Sequence, residues 1–433
     1  MPVSTERIAV LRASLKWGLF AIVALVLFWR IVAVNMAQHM AAEDNLAAAT
    51  WNPHVPDILL TQAAQALATD PTQAQHLALR AGWENPTDGR AFLILGLLWE
   101  QQGKLDMAKK AIQIADFLGP RRAGSQLQIA YFWARRGELA SALPHWSVAL
   151  QMQPELSDKL FPELLRYVEM PQYRPAFAKT LNDPPQWWDS FFSYALNNAA
   201  HLDTLKAIYL ARVNSKSGPR HGERKAYLDL LLRESLWTEA YFVWLNGLDA
   251  GQISALGNLF DGGFEQESFE EGYGWRFAHD DAFTVAADPT YGATADRALH
   301  VAFQGPKPAT TRLVSQYLML DAGSYQLHGR VRVDSLSAGK GVRWSIACIN
   351  GAAQEVLASS EHFIGADKWK PFSVDLKIPA KACDAQMLHL DVDPAEADGT
   401  DFSGAIWFDD LIMQKLQEQD APQDTPKPLD RRK

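Results

Sequence analysis

Residues able to do chemistry are few in this chain, and they are scattered. The eleven histidines of the 433 residues form no His-Glu-x-x-His pair. No Gly-x-Ser-x-Gly elbow or phosphate-cradling glycine loop occurs either. Two acidic pairs, Glu270-Glu271 and Asp280-Asp281, lie in a glycine-containing stretch. A glycosidase needs two carboxylates roughly 5–10 Å apart across a cleft, whereas a charged loop is ordinarily just solvated. The chain is therefore not expected to be an enzyme. The two cysteines, Cys348 and Cys383, match no zinc spacing. They are either a disulfide, if the compartment is oxidising, or two buried thiols in strands. Four tryptophans of the β-rich C-terminal part, Trp275, Trp344, Trp369 and Trp407, could stack on a sugar ring or fill a core. Side chains alternate along a strand, so Trp407 and Phe408 face opposite ways and one of them points outward.

Three kinds of element must carry these residues. Trp17–Trp29 is an uncharged apolar run, and Ile31–Val34 extends it past Arg30. Counted through Val34 it is long enough for a short span, with Arg30 reaching to the headgroups. No small-residue pair suited to signal peptidase occurs between Ala33 and Asp44, so an uncleaved anchor over residues 17–37 is expected. Arg7, Arg12 and Lys16 precede the run, and Glu43 and Asp44 follow it. This polarity puts residues 1–16 in the cytoplasm and the bulk outside, as in a single-pass protein of a bacterial inner membrane with a periplasmic body. A linker over 38–54 follows. Net charge is −9, which argues against nucleic acid as a partner.

Residues 55–250 read as helical. Leu95, Gly96, Trp99, Gly103, Ala108, Ile112, Ala115 and Pro120 recur 34 positions later as Ile129, Ala130, Trp133, Gly137, Ala142, Trp146, Ala149 and Pro154. Gly96 and Ala130 let a paired helix approach. Trp99 and Trp133 fill the space between helices, and Gly103 and Gly137 make turns. Ala108 and Ala142 sit at crossings, and Pro120 and Pro154 end helices. The period and residue order resemble tetratricopeptide repeats. That resemblance implies an all-α solenoid of five or six helix pairs that binds a protein partner. Trp188, Phe191, Phe192 and Ala195 share one helix face, either packed between repeats or exposed for docking.

From residue 251 the texture becomes alternating strands with glycine and aspartate turns, which suggests an all-β, two-sheet jelly roll over 251–415. The opening Asn258–Glu265 with Trp275, the turn Tyr291-Gly292, Leu320–Tyr325, Trp369–Phe372 and Ile406–Leu411 resemble galactose-binding-like jelly rolls, including carbohydrate-binding modules. The resemblance implies a structural calcium joining Glu265 to Asp409 or Asp410; otherwise these are solvated carboxylates. It also makes Trp275, Trp369 and Trp407 the glycan-binding candidates. The tail, 416–433, has three prolines and mixed charge and is expected to be disordered. Taken together, the sequence suggests a membrane-anchored, periplasm-facing scaffold in cell-envelope or exopolysaccharide assembly. Its repeats would hold protein and its sandwich would hold polysaccharide or protein. The alternatives are an adaptor with no sugar ligand and, third, a carbohydrate-active enzyme.

Overall fold

The computed structural model describes residues 5–40, 51–52, 55–266, 270–305, 311–350, 353–392 and 402–416. Residues 1–4, most of the linker (Glu43 and Asp44 included) and the tail beyond 416 lie outside the described residues, as do the side chains of Arg7 and Arg12. The chain divides into two compact units, Met1–Gly218 and Pro219–Lys433.

The first unit begins with α1, Thr5–Met40, whose stretch Lys16–Ala37 is long and apolar enough to cross a membrane or to act as a signal sequence. Its apolar side chains from Trp17 to Ile31 are exposed, and burial begins at Ala33 and Ala37. Ala37 packs with Val55 and Ile58, and Met40 and Trp51 close over them. There follow α2 (Pro56–Ala66), α3 (Pro71–Glu84), α4 (Gly89–Gln101), α5 (Leu105–Leu118), α6 (Ala123–Ala134), α7 (Leu139–Met152), α8 (Ser157–Glu169), α9 (Arg174–Asn182), α10 (Trp188–Asn198) and α11 (Leu202–Val213).

The 34-residue period appears in the element boundaries: α4, α6 and α8 start at 89, 123 and 157. Gly103 and Gly137 both hold φ of +73°, a left-handed conformation that a side chain would strain. A Cβ on Gly96 would lie 2.8 Å from the Ile112 side chain, which shows how closely α4 and α5 approach there. Ala108, Ala130 and Ala142 are fully buried, Trp133 is buried, and Trp99 packs at the core's margin. Pro120 and Pro154 lie just past the ends of α5 and α7. Trp188, Phe191 and Phe192 are core residues and do not form a docking patch.

The second unit starts with the hairpin α12 (His221–Arg233) and α13 (Trp237–Leu245), and the short α14 (Ala250–Ser254) leads into ten strands. The texture change at residue 251 marks where helices give way to strands, whereas packing divides the chain at Pro219. The reason is aromatic: Trp244 packs edge-on against Phe260 at 5.1 Å, Trp237 lies 5.7 Å from Tyr317, and the Tyr273 hydroxyl donates to the Trp237 carbonyl at 2.8 Å.

The strands are β1 (Arg276–Phe277), β2 (Phe283–Pro289), β3 (Arg297–Gly305), β4 (Arg312–Leu318), β5 (Gly323–Ser337), β6 (Val342–Asn350), β7 (Ala353–Ser359), β8 (Gly365–Ile378), β9 (Gln386–Val392) and β10 (Phe402–Lys415). They form two antiparallel five-stranded sheets, ordered β1-β4-β9-β6-β7 and β2-β3-β10-β5-β8. Inward residues such as Leu299, Val331, Trp344, Leu388 and Phe408 interdigitate into one core.

Cys348 on β6 and Cys383 just before β9 form a disulfide with Cα atoms 5.1 Å apart. It closes a loop of sequence separation 35. Replacing both cysteines by serine is expected to lower the stability of this unit by ~3–4 kcal/mol on the chain-entropy account. Urea unfolding of the oxidised protein and the double variant checks this, and coincident curves would show that the bond contributes nothing.

Candidate functional site

Outward-facing residues of the second sheet assemble an aromatic and charged cluster that contains two of the tryptophan candidates, Trp369 and Trp407. In register across three strand pairs, Ala286 of β2 faces His300 of β3, His300 faces Trp407 of β10, and Trp407 faces Arg332 of β5. The His300 ring stacks on Trp407 at 3.8 Å, 7° from parallel. The Arg332 guanidinium lies 4.7 Å from the Trp407 ring and 5.4 Å from Trp369, and Arg330 lies 5.0 Å from Trp369. These are cation–π distances, in which a positive group sits over a negative ring face.

Polar contacts fix each ring. Trp407 Nε1 and Arg332 Nη2 both donate to Asp334 Oδ2, at 2.9 and 3.0 Å. Arg332 Nη1 reaches Thr290 Oγ1 at 2.9 Å, and Trp369 Nε1 donates to the Tyr291 carbonyl at 3.1 Å. His300 Nδ1 is 2.8 Å from Asp288 Oδ2. Gly292, at φ +83°, brings its backbone so close to Trp369 that a Cβ would lie 2.8 Å from the ring. The loop thereby carries Tyr291 past the tryptophan with its side chain 97% exposed.

The three tryptophan candidates separate. Trp275 is 3% exposed and belongs to the core, packed on Phe264 with its Nε1 donating to the Asp261 carbonyl. It is no platform, because the opening turn needs its bulk inside. Trp344 is likewise core. Of the pair Trp407–Phe408, Phe408 points inward and Trp407 outward, yet Trp407 is only 9% exposed because His300 and Arg332 cover it. Trp369 is half-buried at the edge. The sequence reading missed His300, Arg330, Arg332, Asp334 and Tyr291. The alternation Arg330-Val331-Arg332-Val333-Asp334 was the available signal, since it puts three charges on one outward face of a strand.

The carboxylates expected at a calcium ion all hold the segment entering β3. Thr294 N–H donates to Asp409 Oδ2 at 2.8 Å, the Thr294 hydroxyl donates to Asp410, and Arg297 N–H donates to Glu265 Oε1 at 2.9 Å. Arg330 sits between the aspartates, 3.1 Å from Asp409 and 3.0 Å from Asp410, and offsets part of their charge. Among the described residues, no group of three or more His, Cys, Asp or Glu side chains is placed to hold a metal ion. Of the acidic pairs, Glu271 is buried on Arg224 at 2.6 Å, and Asp280 caps the turn at Ala282 N–H at 2.9 Å.

The opening motif joins the ends of the domain. Asp261 accepts the N–H groups of Glu265 and Gln266, at 3.0 and 3.1 Å. Burial pushes its carboxyl up to about 6 against those hydrogen bonds, with nearby Glu265 acting in the same direction as burial. Folding thus favours the neutral acid. The stability this supplies is full below the unfolded value near 4 and is lost as pH rises through 6. An Asp261→Asn variant, which has no such titration, is expected to gain ~2–3 kcal/mol relative to the native protein between pH 4 and pH 7. Denaturant unfolding at both pH values tests it; parallel pH profiles would refute it.

No protein-family model and no curated protein matches the chain. Solved structures similar to it include one described as "CBM4 structure and function", with 14% identity, 36% of this chain and 99% of that one covered, and a TM-score of 0.28. The CBM22-2 xylan-binding domain from Paenibacillus barcinonensis is 14% identical over 33% of this chain and 91% of that one, with a TM-score of 0.25. A CBM61 in complex with β-1,4-galactotriose is 20% identical over 37% of this chain and 98% of that one, with a TM-score of 0.24.

Proposed function

We propose that this chain is a membrane-anchored, non-enzymatic binding protein whose β-sandwich holds a polysaccharide on the outward face of the β2-β3-β10-β5-β8 sheet. The observation that carries this reading is the line His300–Trp407–Arg332–Trp369, flanked by Asp334 and the exposed Tyr291. Aromatic faces stack on the C–H faces of sugar rings, and fixed guanidinium and carboxylate groups exchange hydrogen bonds with hydroxyls. A surface of this kind orients a glycan without transferring any group.

The helical array is proposed as a tetratricopeptide-like solenoid that holds a protein partner. A groove of about 460 Å3 across α2, α4 and the start of α6, floored by Leu60, Leu93 and Ile94, supports that part. With α1 as an uncleaved anchor, the body would lie in the periplasm and serve envelope or exopolysaccharide assembly. A purely protein-binding adaptor is the second reading. It is favoured by the cover that His300 and Arg332 place over Trp407, which leaves little of that ring for a sugar.

The deciding experiment is a glycan array probed with the oxidised protein, with calcium and with EDTA. Retention of a defined glycan is expected, and it should survive EDTA because Thr294, Arg297 and Arg330 already engage Asp409, Asp410 and Glu265. Loss on chelation would instead assign a calcium to Glu265 and the aspartates. A folded protein that retains no glycan would overturn the sugar reading in favour of the adaptor.

A further inference from the structure

The first helices of the array share one edge. Arg90, in the first turn of α4, forms ion pairs with Asp57 in the first turn of α2 and with Asp88, the N-cap of α4. Arg122, the N-cap of α6, lies 3.9 Å from the same Asp88. The ends of the second helices come to this edge as well. A Cβ on Gly89 would lie 2.5 Å from the Ala115 carbonyl and 3.2 Å from Leu118, so the last turn of α5 meets the start of α4. The end of α3 at Glu84 is separated from that start by only four residues, 85–88.

This edge is where α1 arrives. Ala37 packs on Val55 and Ile58 at the first turn of α2, and Trp51 returns to within 6.0 Å of Trp29. Burial of α1 starts at Ala33, so its fully exposed apolar part ends beside the same edge. The two most exposed large hydrophobic side chains of the helical array also lie here: Trp83 in the last turn of α3, 86% exposed, and Phe117 in the last turn of α5, 84% exposed. They are 34 residues apart, so the repeat presents one position twice. Arg121 and Arg122 are exposed beside Phe117, and Glu84 beside Trp83.

We propose that this edge rests on the lipid surface, with Trp83 and Phe117 inserted at headgroup depth. Amphipathic aromatic rings partition to that layer, and arginines next to them reach phosphates. A bilayer is the occupant favoured over a protein because α1, whose exposed apolar part would be embedded in it, arrives at this same edge. With Arg90 paired to Asp57 and Asp88, the contact depends on aromatic insertion more than on net charge, so neutral lipid suffices. The proposal rests on the reading of α1 as a membrane anchor.

The test uses the full chain in phosphatidylcholine nanodiscs. Single cysteines are introduced by Leu25→Cys, Glu84→Cys, Arg121→Cys and Gln102→Cys, which leave both rings in place, and each is labelled with a small fluorophore. Cys348 and Cys383 are paired and do not react. Labels at 84 and 121 are expected to lose most of their intensity to headgroup-attached nitroxide lipid, and the label at 25 to chain-attached nitroxide. The label at 102, at the opposite end of α4, should keep its intensity. Quenching at 25 without quenching at 84 and 121 would overturn the docking and leave the anchor standing. Absence of quenching at 25 would overturn both.

Discussion

Replacing Trp369 by alanine is expected to weaken glycan binding on the order of 30-fold, ~2 kcal/mol, which is the scale of a central aromatic contact. Trp369 is the ring over which both Arg330 and Arg332 are placed, and its Nε1 fixes the loop that carries Tyr291. Because the ring carries two guanidinium contacts and holds the loop through Nε1, the half-buried side chain should also contribute ~1–2 kcal/mol of stability. Trp275→Ala should behave in the opposite way: it removes a buried ring and should cost ~3–5 kcal/mol of stability, with glycan affinity unchanged in the fraction that folds. Titration calorimetry against the glycan that the array retains, paired with thermal unfolding of each variant, separates the two effects. If Trp369→Ala binds like the native protein, the face is not the binding surface.

Gly262→Ala is expected to destabilise the sandwich by ~3–5 kcal/mol, the range reserved for changes that force backbone apart. A Cβ there would lie 1.8 Å from the Leu411 carbonyl oxygen, and the Gly262 carbonyl itself accepts the Leu411 N–H at 2.9 Å. This contact fastens the start of the domain to its last strand. Asn258 adds a bond to the Met413 carbonyl at 3.0 Å, and Gln316 clamps Phe260 through both its backbone groups. The neighbouring glycine is the control. A Cβ on Gly263 meets nothing nearer than Glu265 at 3.8 Å, so Gly263→Ala should stay within ~1 kcal/mol of native. Equal effects at both positions, read by denaturant unfolding, would show that general loss of glycine freedom is responsible and not the contact with Leu411.

The opening motif shows how a local pattern can be read correctly for fold and incompletely for role. Asp261-Gly262-Gly263 marked the start of the two-sheet sandwich, but not that Gly262 must touch the carbonyl of a residue almost 150 positions away. Asp409 and Asp410 were legible as an acidic pair on the last strand, singled out by resemblance alone. That a guanidinium from β5 lies between them was not, because Arg330 is remote in sequence and comes beside them only through the β5–β10 register.

Local patterns determined much of this protein. The apolar run marked the exposed part of α1, the 34-residue recurrence of small and bulky residues reappears in the helix starts at 89, 123 and 157, and period-two alternation marked several of the ten strands, though not β1, β2 or β7. Each of these depends on neighbours within a few turns or residues, where the backbone geometry is constant. Only the tertiary structure decided which of Trp407 and Phe408 faces outward, that Trp275 is core, and that α12 and α13 pack with the sandwich. It also decided that His300, Trp407, Arg332 and Trp369 meet. Those outcomes depend on strand order and register between distant segments, and alternation along one strand is the same whichever face the core covers.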